Sequence, residues 1–266
     1  MIHFTETQLE RYSRHFVLQE IGVAGQKRLL ESSVLVIGAG ALGSAALMYL
    51  AAAGVGTIGI ADYDKVELSN LQRQIIHNTQ TVGMSKTESA KETIEAINPD
   101  VSVILHNEPI TVDNISSVIK PYDFIVDGTD NFPTKFLIND ACVLQEKPYS
   151  HAGIVRFSGQ TMTYVPGKGP CLRCLLETVP PQNNDCSCSA AGVLGAAVGV
   201  LGSIQALEAI KYILDIGDLL AGRLLIFDGL SMNFHYAKMP ESNSSCPVCG
   251  KKPRITSLQE NRIDYM

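Results

Sequence analysis

Two pairs of cysteines, each separated by two residues, are the clearest candidate metal ligands in the sequence. Cys171 and Cys174 form the first pair, and Cys246 and Cys249 form the second. Four thiolates from two such pairs form the donor set of a closed tetrahedral zinc site, which supports a fold and leaves no open position for catalysis. Redox-active dithiols and unligated cysteines are the alternatives. We predict a structural zinc site that the fold assembles from two distant parts of the chain.

A glycine-rich segment, Gly38-Ala39-Gly40-Ala41-Leu42-Gly43, predicts a nucleotide site. It follows an apolar run and precedes small residues typical of a helix, and a second apolar run then ends at Asp62. In this strand–turn–helix–strand context, Gly38 allows a tight turn, Gly40 lets the backbone approach a phosphate, and Gly43 lets the helix pack closely against the sheet. Asp62 is placed to accept hydrogen bonds from a ribose. The pattern alone leaves the choice of nucleotide open.

A dense group of charged and amide side chains beyond the second apolar run favours ATP over NAD. Attack on a nucleotide triphosphate requires cations beside the phosphates and carboxylates that hold magnesium. Arg73 and Lys86 are candidates for the cations, and Asp64 and Asp130 are candidates for the carboxylates. Any one of these charges alone is typical of a solvated surface. Their positions beyond the carboxyl ends of successive strands favour a ligand site.

The elements that must position these residues change character along the chain. Up to residue 153, apolar runs alternate with helical patterns, which predicts a parallel sheet with helices on both faces. Two hairpin patterns follow, one pairing 154–157 with 160–165 around Ser158-Gly159 and one pairing 224–228 with 233–238. We therefore expect an α/β fold in which a Rossmann-like parallel sheet is extended by antiparallel strands into one mixed sheet.

The apolar stretch from Ala190 to Leu207 is predicted to belong to a buried core helix that runs from about Ala191 to Leu214. Its length raises the question of a membrane span, but Ser203 and Gln205 interrupt it and it runs into Glu208. Membrane-spanning helices need a longer uninterrupted apolar run. We therefore expect no membrane association from this segment.

Composition and charge argue against several classes of function. The chain of 266 residues carries a net charge of -6, so it lacks the basic footprint of a protein that binds nucleic acid or anionic membranes. The beginning of the sequence has neither the basic nor the apolar region of a signal peptide. Its seven cysteines then favour metal binding in a reducing compartment over disulfides. We expect a cytoplasmic protein.

The motifs together resemble the ThiF/MoeB/HesA family, the bacterial relatives of ubiquitin-activating enzymes. The matching segments are the glycine loop, Asp62-Tyr63-Asp64, Ser69-Asn70-Leu71-Gln72-Arg73-Gln74, Lys86, Asp127-Gly128-Thr129-Asp130-Asn131 and both cysteine pairs. The resemblance extends from Arg11 to Gly250. It implies an adenylyltransferase, in which the C-terminal Gly-Gly carboxylate of a small ubiquitin-fold sulfur-carrier protein attacks the α-phosphate of Mg-ATP and releases pyrophosphate.

The resemblance also implies roles for the matching residues. It has Gly38, Gly40 and Gly43 hold the nucleotide while Asp62 binds the ribose. Asn70, Arg73 and Lys86 are then expected to stabilise the phosphates, and Asp130 to hold Mg²⁺ beside Asn131. The other candidates for the nucleotide site are Asp64, Ser69, Leu71 and Gln72.

Two further residues gain a role only from the resemblance. Arg14 is typical of a solvated face by its spacing, but the family places it in the site of a partner subunit, which implies a homodimer and an arginine-finger role. Cys188 matches a family cysteine in the loop before the long helix, where a thiol can attack an adenylate. Whether the reaction needs Cys188 is left open.

The resemblance defines one domain with four parts. They are a helical arm at 1–30, a nucleotide-binding half at 31–153, a carrier-binding and zinc half at 154–250, and a loose tail at 251–266. A separate protein is expected to supply sulfur, because the segment after the second cysteine pair is too short for a sulfurtransferase domain. Thiamine, molybdopterin and other thiocarboxylate pathways all stay open. The rival interpretations are an NAD-dependent oxidoreductase and a nucleotide-binding module that docks a ubiquitin-like partner without turnover.

Overall fold

An eight-stranded sheet organises the described part of the protein, with the order β3-β2-β1-β4-β5-β6-β7-β8. The computed structural model describes residues 4–180, 191–239 and 242–265. The strands are β1 (Ser33–Ile37), β2 (Thr57–Ala61), β3 (Ser102–His106), β4 (Phe124–Asp127), β5 (Tyr149–Val155), β6 (Ser158–Tyr164), β7 (Arg223–Asp228) and β8 (Asn233–Lys238). The pairs from β3 to β5 are parallel and those from β5 to β8 are antiparallel. The prediction of one mixed sheet is confirmed.

Helices cover both faces of the parallel half. The helices of the described residues are α1 (Glu6–Arg11), α2 (Ser13–Phe16), α3 (Gly22–Glu31), α4 (Ala41–Ala53), α5 (Lys86–Ile97), α6 (Ile115–Ile119), α7 (Phe132–Leu144), α8 (Leu172–Leu175) and α9 (Gly195–Leu214). Side chains alternate across β1, so that Val34 and Val36 pack with α4, α5 and α9 while Leu35 and Ile37 pack with α6 and α7. This burial on both faces explains why the parallel strands are apolar throughout.

The helix α9 lies in the core of the molecule. By length and composition it could cross a membrane, with a mean hydropathy of 1.4, yet 56% of that stretch is buried within the protein. It packs closely against α4, where a Cβ on Gly202 would lie 2.4 Å from the carbonyl oxygen of Leu42. The prediction of a core helix is therefore confirmed, and small residues on the helix account for the close approach.

The first hairpin turns two residues earlier than predicted. Ser158 and Gly159 already belong to β6, where they pair with Val155 and Ile154. The turn lies before them, and Arg156 adopts a positive φ of 57° there. Gly159 serves close packing instead of a turn, because a Cβ on it would lie 2.5 Å from the side chain of Leu201.

The segment after the second cysteine pair is packed, so the prediction of a loose tail is wrong. Ile255 and Leu258 are buried in the apolar cluster beneath α7. The hydroxyl of Tyr265 donates a hydrogen bond to Asp140 Oδ2 at 2.7 Å. These anchors are isolated in a polar segment without helical or strand periodicity, so their burial depends on the tertiary surface that they meet.

Candidate functional site

A cavity of about 560 Å³ lies at the carboxyl ends of the parallel strands. It opens between β1 and β4, where the order of the sheet reverses, which is the position at which open α/β sheets bind ligands. Many predicted residues line it, namely Gly38, Gly40, Asp62, Asp64, Arg73, Lys86, Asp130 and Asn131. The fold thus brings together residues that are widely separated in the sequence.

The glycine loop forms one wall of this cavity. Gly38 has a φ of 93°, a conformation that favours glycine, and Gly40 is the N-cap of α4. A Cβ on Gly43 would lie only 1.9 Å from the carbonyl oxygen of Gly38. Gly43 thus lies behind the loop and allows the helix to approach it. The N-terminus of α4 is directed at the cavity with its partial positive charge, as anion-binding helices are.

Asp62 supports the glycine loop from the end of β2. Its Oδ2 accepts a hydrogen bond from the backbone amide of Ala39, and its Oδ1 accepts one from that of Asp64, both at 2.9 Å. Burial raises the pKa of Asp62 above its ordinary value. Each carboxylate oxygen has a second lone pair, so ribose hydroxyls can still donate to Asp62.

Lys86 and Asp64 form an ion pair at the edge of the cavity. The Nζ of Lys86 lies 2.7 Å from Asp64 Oδ2, and Lys86 is largely buried while the Asp64 side chain is half exposed. The backbone amide of Lys86 also donates to the carbonyl oxygen of Asp64 at 2.9 Å. Asp64 was a candidate magnesium ligand from the sequence. The geometry instead favours a role in which Asp64 orients Lys86.

The polar segment 68–74 meets the cavity at only two positions. Arg73 and Gln74 line it, whereas Ser69, Asn70, Leu71 and Gln72 do not. Asn70 is buried and accepts a hydrogen bond from the backbone amide of Glu67 at 3.2 Å. Arg73 donates from Nη1 to the carbonyl oxygen of Ser69 at 3.1 Å. In this geometry Asn70 shapes the turn that presents Arg73. Contacts of residues 69–73 with a nucleotide stay predictions.

Asp130 and Asn131 lie on the loop after β4. The carboxylate of Asp130 is exposed at the cavity and makes no hydrogen bond or ion pair with the described residues. The side chain of Asn131 accepts a hydrogen bond from the backbone amide of Thr134 at 2.9 Å and thereby caps α7. Asp130 is thus free to bind a cation, while Asn131 orients the helix beside it.

Among the cavity residues that had no role predicted from sequence, Lys135, His151 and Gln74 have buried polar groups. Lys135 and His151 line the floor, where both contact the buried carboxylate of Asp127, and Gln74 is buried with an unpartnered Oε1. Lys135 follows the DGTDN motif on the first turns of α7, and His151 lies on β5. Polarity within a strand otherwise composed of buried residues was the signal that could have revealed His151.

The four predicted metal ligands meet beneath α7. Their Sγ atoms all lie within 4.8 Å of one another. Individual separations are 4.0 Å between Cys171 and Cys174, 3.6 Å between Cys171 and Cys246, and 3.4 Å between Cys174 and Cys249. Tetrahedral zinc with Zn–S bonds of about 2.3 Å requires sulfur atoms about 3.8 Å apart. The cluster therefore fits zinc in both donor type and spacing.

The structure does not bring Arg14 to the cavity. Arg14 is exposed on α2 and does not line the cavity. Cys188 lies outside the described residues, as does Cys186.

The sequence matches the ThiF family over residues 12–248. The curated relatives include the adenylyltransferase and sulfurtransferase MOCS3 of Anopheles gambiae, 46% identical over 258 residues, and that of Culex quinquefasciatus, 45% identical over 258 residues. Each match covers 97% of this chain and 58% of the relative, so the chain spans less than two thirds of these proteins.

Solved structures share the fold. E. coli MccB with ATP is similar with a TM-score of 0.77 and 26% identity, covering 90% of this chain and 74% of that chain. The microcin C7 biosynthetic enzyme MccB in complex with N-formylated MccA has a TM-score of 0.77 and 26% identity, covering 90% of this chain and 75% of that one. With the family match over most of the sequence and relatives more than 40% identical, this chain belongs to the ThiF family.

Proposed function

We propose that this protein uses ATP to adenylate the C-terminal Gly-Gly carboxylate of a small ubiquitin-fold sulfur-carrier protein. The observation that carries the proposal is the composition of the cavity, which continues from the nucleotide half of the sheet onto its antiparallel half. Arg73, Lys86 and Asp130 line the first part, and the second part is lined by Gly153, Ile154, Gly159, Gln160 and Ile226. Such a cavity can hold a nucleotide at one end and an extended peptide terminus at the other.

The reaction requires little covalent participation by the protein. A carboxylate oxygen of the carrier forms a bond to the α-phosphorus of ATP, and the bond from that phosphorus to the bridging oxygen breaks, so that pyrophosphate leaves. Negative charge grows on the phosphate oxygens, and the cations of Arg73 and Lys86 are suited to stabilise it. Asp62 orients the nucleotide through the ribose, and the amides at the start of α4 face the phosphates.

Asp130 is proposed to hold Mg²⁺. Its carboxylate has the donor chemistry that Mg²⁺ prefers, and it is exposed at the cavity without a protein partner among the described residues. Bound Mg²⁺ supplies positive charge that offsets the charge of the leaving pyrophosphate. The names of the MOCS3 relatives include adenylyltransferase, and a related structure contains ATP, which supports this nucleotide chemistry.

The carrier is proposed to dock beside β8. This edge strand is exposed along its whole length, and Phe234, Tyr236 and Met232 present apolar surface there. An open edge with aromatic side chains suits a partner that adds a strand to the sheet. A ubiquitin-fold carrier bound there could direct its C-terminus along β6 and β7 into the cavity.

A homodimer is proposed, with Arg14 acting in the site of the partner subunit. Leu9, Val17, Leu18 and Val23 are exposed apolar residues of the N-terminal arm that carries Arg14, and a second copy could cover them. Arg14→Ala and Arg73→Ala should each be inactive alone. Mixed and reassociated, they should recover about a quarter of the wild-type activity, because one site in each hybrid dimer contains both arginines. Failure to recover activity would contradict action across the interface.

Zinc and sulfur have separate places in the proposal. We propose that the cysteine cluster holds one Zn²⁺ with a structural role. Sulfur is proposed to come from a separate donor protein, since the described cysteines are either buried, as Cys142 is, or part of the cluster. A reducing, cytoplasmic location is proposed, because a cluster of four thiolates that holds zinc suits such a compartment. Molybdopterin and thiamine synthesis are both compatible with such a carrier.

Exchange of labelled pyrophosphate into ATP, measured with a panel of purified carrier proteins, tests the function directly. Exchange should depend on the carrier and should be lost in Arg73→Ala and Asp130→Ala. Cys188→Ala in the same assay decides whether that thiol is needed for adenylation. Normal exchange in Arg73→Ala and Asp130→Ala would contradict the proposed site. Carrier binding without pyrophosphate release would indicate a docking module, and thermal protection by NADH instead of ATP would indicate an oxidoreductase.

A further inference from the structure

The buried carboxylate of Asp127 joins the floor of the cavity to the loop that carries Asp130. Its Oδ1 accepts hydrogen bonds from the backbone amide and the hydroxyl of Thr129, at 3.0 and 2.7 Å. Its Oδ2 accepts from Lys135 Nζ at 3.1 Å and from His151 Nδ1 at 2.8 Å. One oxygen therefore holds the loop, and the other is held by α7 and β5.

The protonation state of this group follows from its surroundings. Burial opposes the charge of Asp127, but Lys135 and His151 hold the pKa of that carboxyl well below its ordinary value. An ionised carboxylate can only accept, so Nδ1 of His151 must carry the proton. Burial and the Lys135 ammonium lower the pKa of His151, which favours the neutral imidazole. The ring is thus a fixed hydrogen-bond donor to Asp127.

Lys135 and His151 do different work on the carboxylate. Lys135 supplies the compensating charge, and its Nζ also donates to the carbonyl oxygen of Ala152 at 2.7 Å. If Lys135 were the single donor to Oδ2, the plane of the Asp127 carboxylate could still tilt. A second donor to Oδ2 from another element fixes that plane. His151, only 5% exposed on β5, provides this second donor.

The loop beyond Asp127 is held at points on both sides of Asp130. Thr129 is bonded to Asp127, and Asn131 caps α7. Gly128 also touches the glycine loop, where a Cβ on it would lie 2.8 Å from the carbonyl oxygen of Gly38. A tilt of the Asp127 carboxylate would therefore move Thr129 and, with it, the neighbouring Asp130.

We propose that His151 is a positioning residue that acts through Asp127 and Thr129 to set where the Asp130 carboxylate stands in the cavity. The position of the Asp130 carboxylate in turn sets the Mg²⁺ concentration that nucleotide binding requires. The inference rests on the proposed function to the extent that Mg-ATP is the ligand of the cavity. Loss of the Nδ1 donor should raise the Mg²⁺ concentration that ATP binding requires before it affects the adenine end of the site.

A pair of substitutions separates the two ring nitrogens. Asparagine can place an amide donor near the position of Nδ1, whereas glutamine places it near that of Nε2. Thermal stabilisation by a fixed concentration of ATP, measured while Mg²⁺ is titrated, should match wild type in His151→Asn and should require about tenfold more Mg²⁺ in His151→Gln. His106→Gln is the matched control, because His106 contacts Tyr122 outside the cavity. Equal Mg²⁺ dependence in His151→Asn and His151→Gln would overturn the proposal.

A second pair tests the other end of the same connection and does not require a change in the buried floor. Thr129→Val preserves shape but removes the hydroxyl donor, and Thr129→Ser keeps it. The first should raise the Mg²⁺ requirement and the second should not, and identical behaviour would overturn the proposal even if His151→Gln failed to fold. A wild-type protein that ignores Mg-ATP would overturn the proposed function as well. Normal wild-type binding with unshifted variants would overturn only this inference.

Discussion

The nucleotide half and the zinc half of the molecule both use charged side chains, but in different ways. At the cavity, Lys86 pairs with a half-exposed Asp64, and Asp130 has no described partner, so these charges face the open space of the cavity. Beside the cysteine cluster, Arg173 of the zinc half pairs with Asp140 of α7 at 2.7 Å, and both side chains are fully buried. The first arrangement keeps charge available for binding, and the second uses charge to hold the chain together.

The segments around the cysteine cluster need this support because they have little regular structure. Arg173 lies between the cysteines of the first pair, and its guanidinium also donates to the carbonyl oxygen of Glu177 at 3.0 Å. It lies over the ring of Phe136, 4.9 Å from the centroid. Asp140 further accepts from Tyr265 in the final segment. The Arg173–Asp140 ion pair and the cysteine cluster together connect α7, the first cysteine pair and the final segment.

The largest expected effect comes from removing a cysteine of the cluster. Cys249→Ser should remove zinc and unfold the segments that it joins, because structural zinc sites contribute on the order of 10 kcal/mol to folding. Elemental analysis and thermal melts of the purified protein measure both losses, and wild type should contain one zinc per chain. Cys142→Ala, at a buried cysteine outside the cluster, should keep its zinc. A metal-free wild type with unchanged stability on chelation would contradict the assignment.

Arg173→Met should produce the next largest loss. It leaves the buried Asp140 carboxylate without its cation, which costs about 3–5 kcal/mol of unfolding free energy. Urea denaturation measures the loss. The double variant Arg173→Met with Asp140→Asn should recover part of it, since the uncompensated charge is gone. If the double variant is as unstable as the single one, packing and not charge explains the role of Arg173.

Acid should destabilise the nucleotide half through its buried histidine. Burial lowers the pKa of His151 below 6.5, so the unfolded chain takes up a proton before the folded protein does. His151 therefore contributes fully to the free energy of unfolding above about pH 6.5. This contribution is lost as the pH falls toward the pKa of the folded protein, by at most about 1.4 kcal/mol per pH unit. Urea denaturation at several pH values from about pH 7 to about pH 5 gives the free energy of unfolding as a function of pH. This free energy should fall less steeply with falling pH in His151→Asn than in wild type. Equal slopes would contradict a buried neutral imidazole.

Lys86→Met should have the smallest effect on stability and thereby sharpens the contrast with Arg173→Met. The methionine preserves packing and leaves Asp64 partly in water, so the free energy of unfolding should change by less than about 1 kcal/mol. ATP affinity, measured by calorimetry, should fall about tenfold or more because a charged contact to phosphate is lost. Lys91→Met, in an exposed pair with Glu95 on the same helix, is the control that should change neither quantity. A large stability loss in Lys86→Met would remove the distinction between the two halves.

Sequence patterns were most informative where the physical cause was local. Alternating apolar runs and glycine spacing predicted the mixed sheet and the nucleotide loop, because strand burial and helix approach depend on neighbouring residues. They were least informative for the tail, where Ile255 and Leu258 are buried individually on a surface formed by distant segments. The turn of the first hairpin was misplaced because Gly159 serves contact with Leu201, which residue type alone cannot distinguish from a turn.

The residue types of this chain determined by themselves which chemistry is available. Four paired cysteines supply a donor set that suits zinc, and the glycine loop with its acids, arginine and lysine supplies the groups of the proposed nucleotide site. Only the tertiary structure decided which of these groups face a ligand and which face each other. It turned Asp64 toward Lys86, left Asp130 open and placed Asp127 beneath the loop with Lys135 and His151. The reason is that hydrogen bonds between distant segments depend on how strands and helices meet, and spacing along the chain does not contain that information.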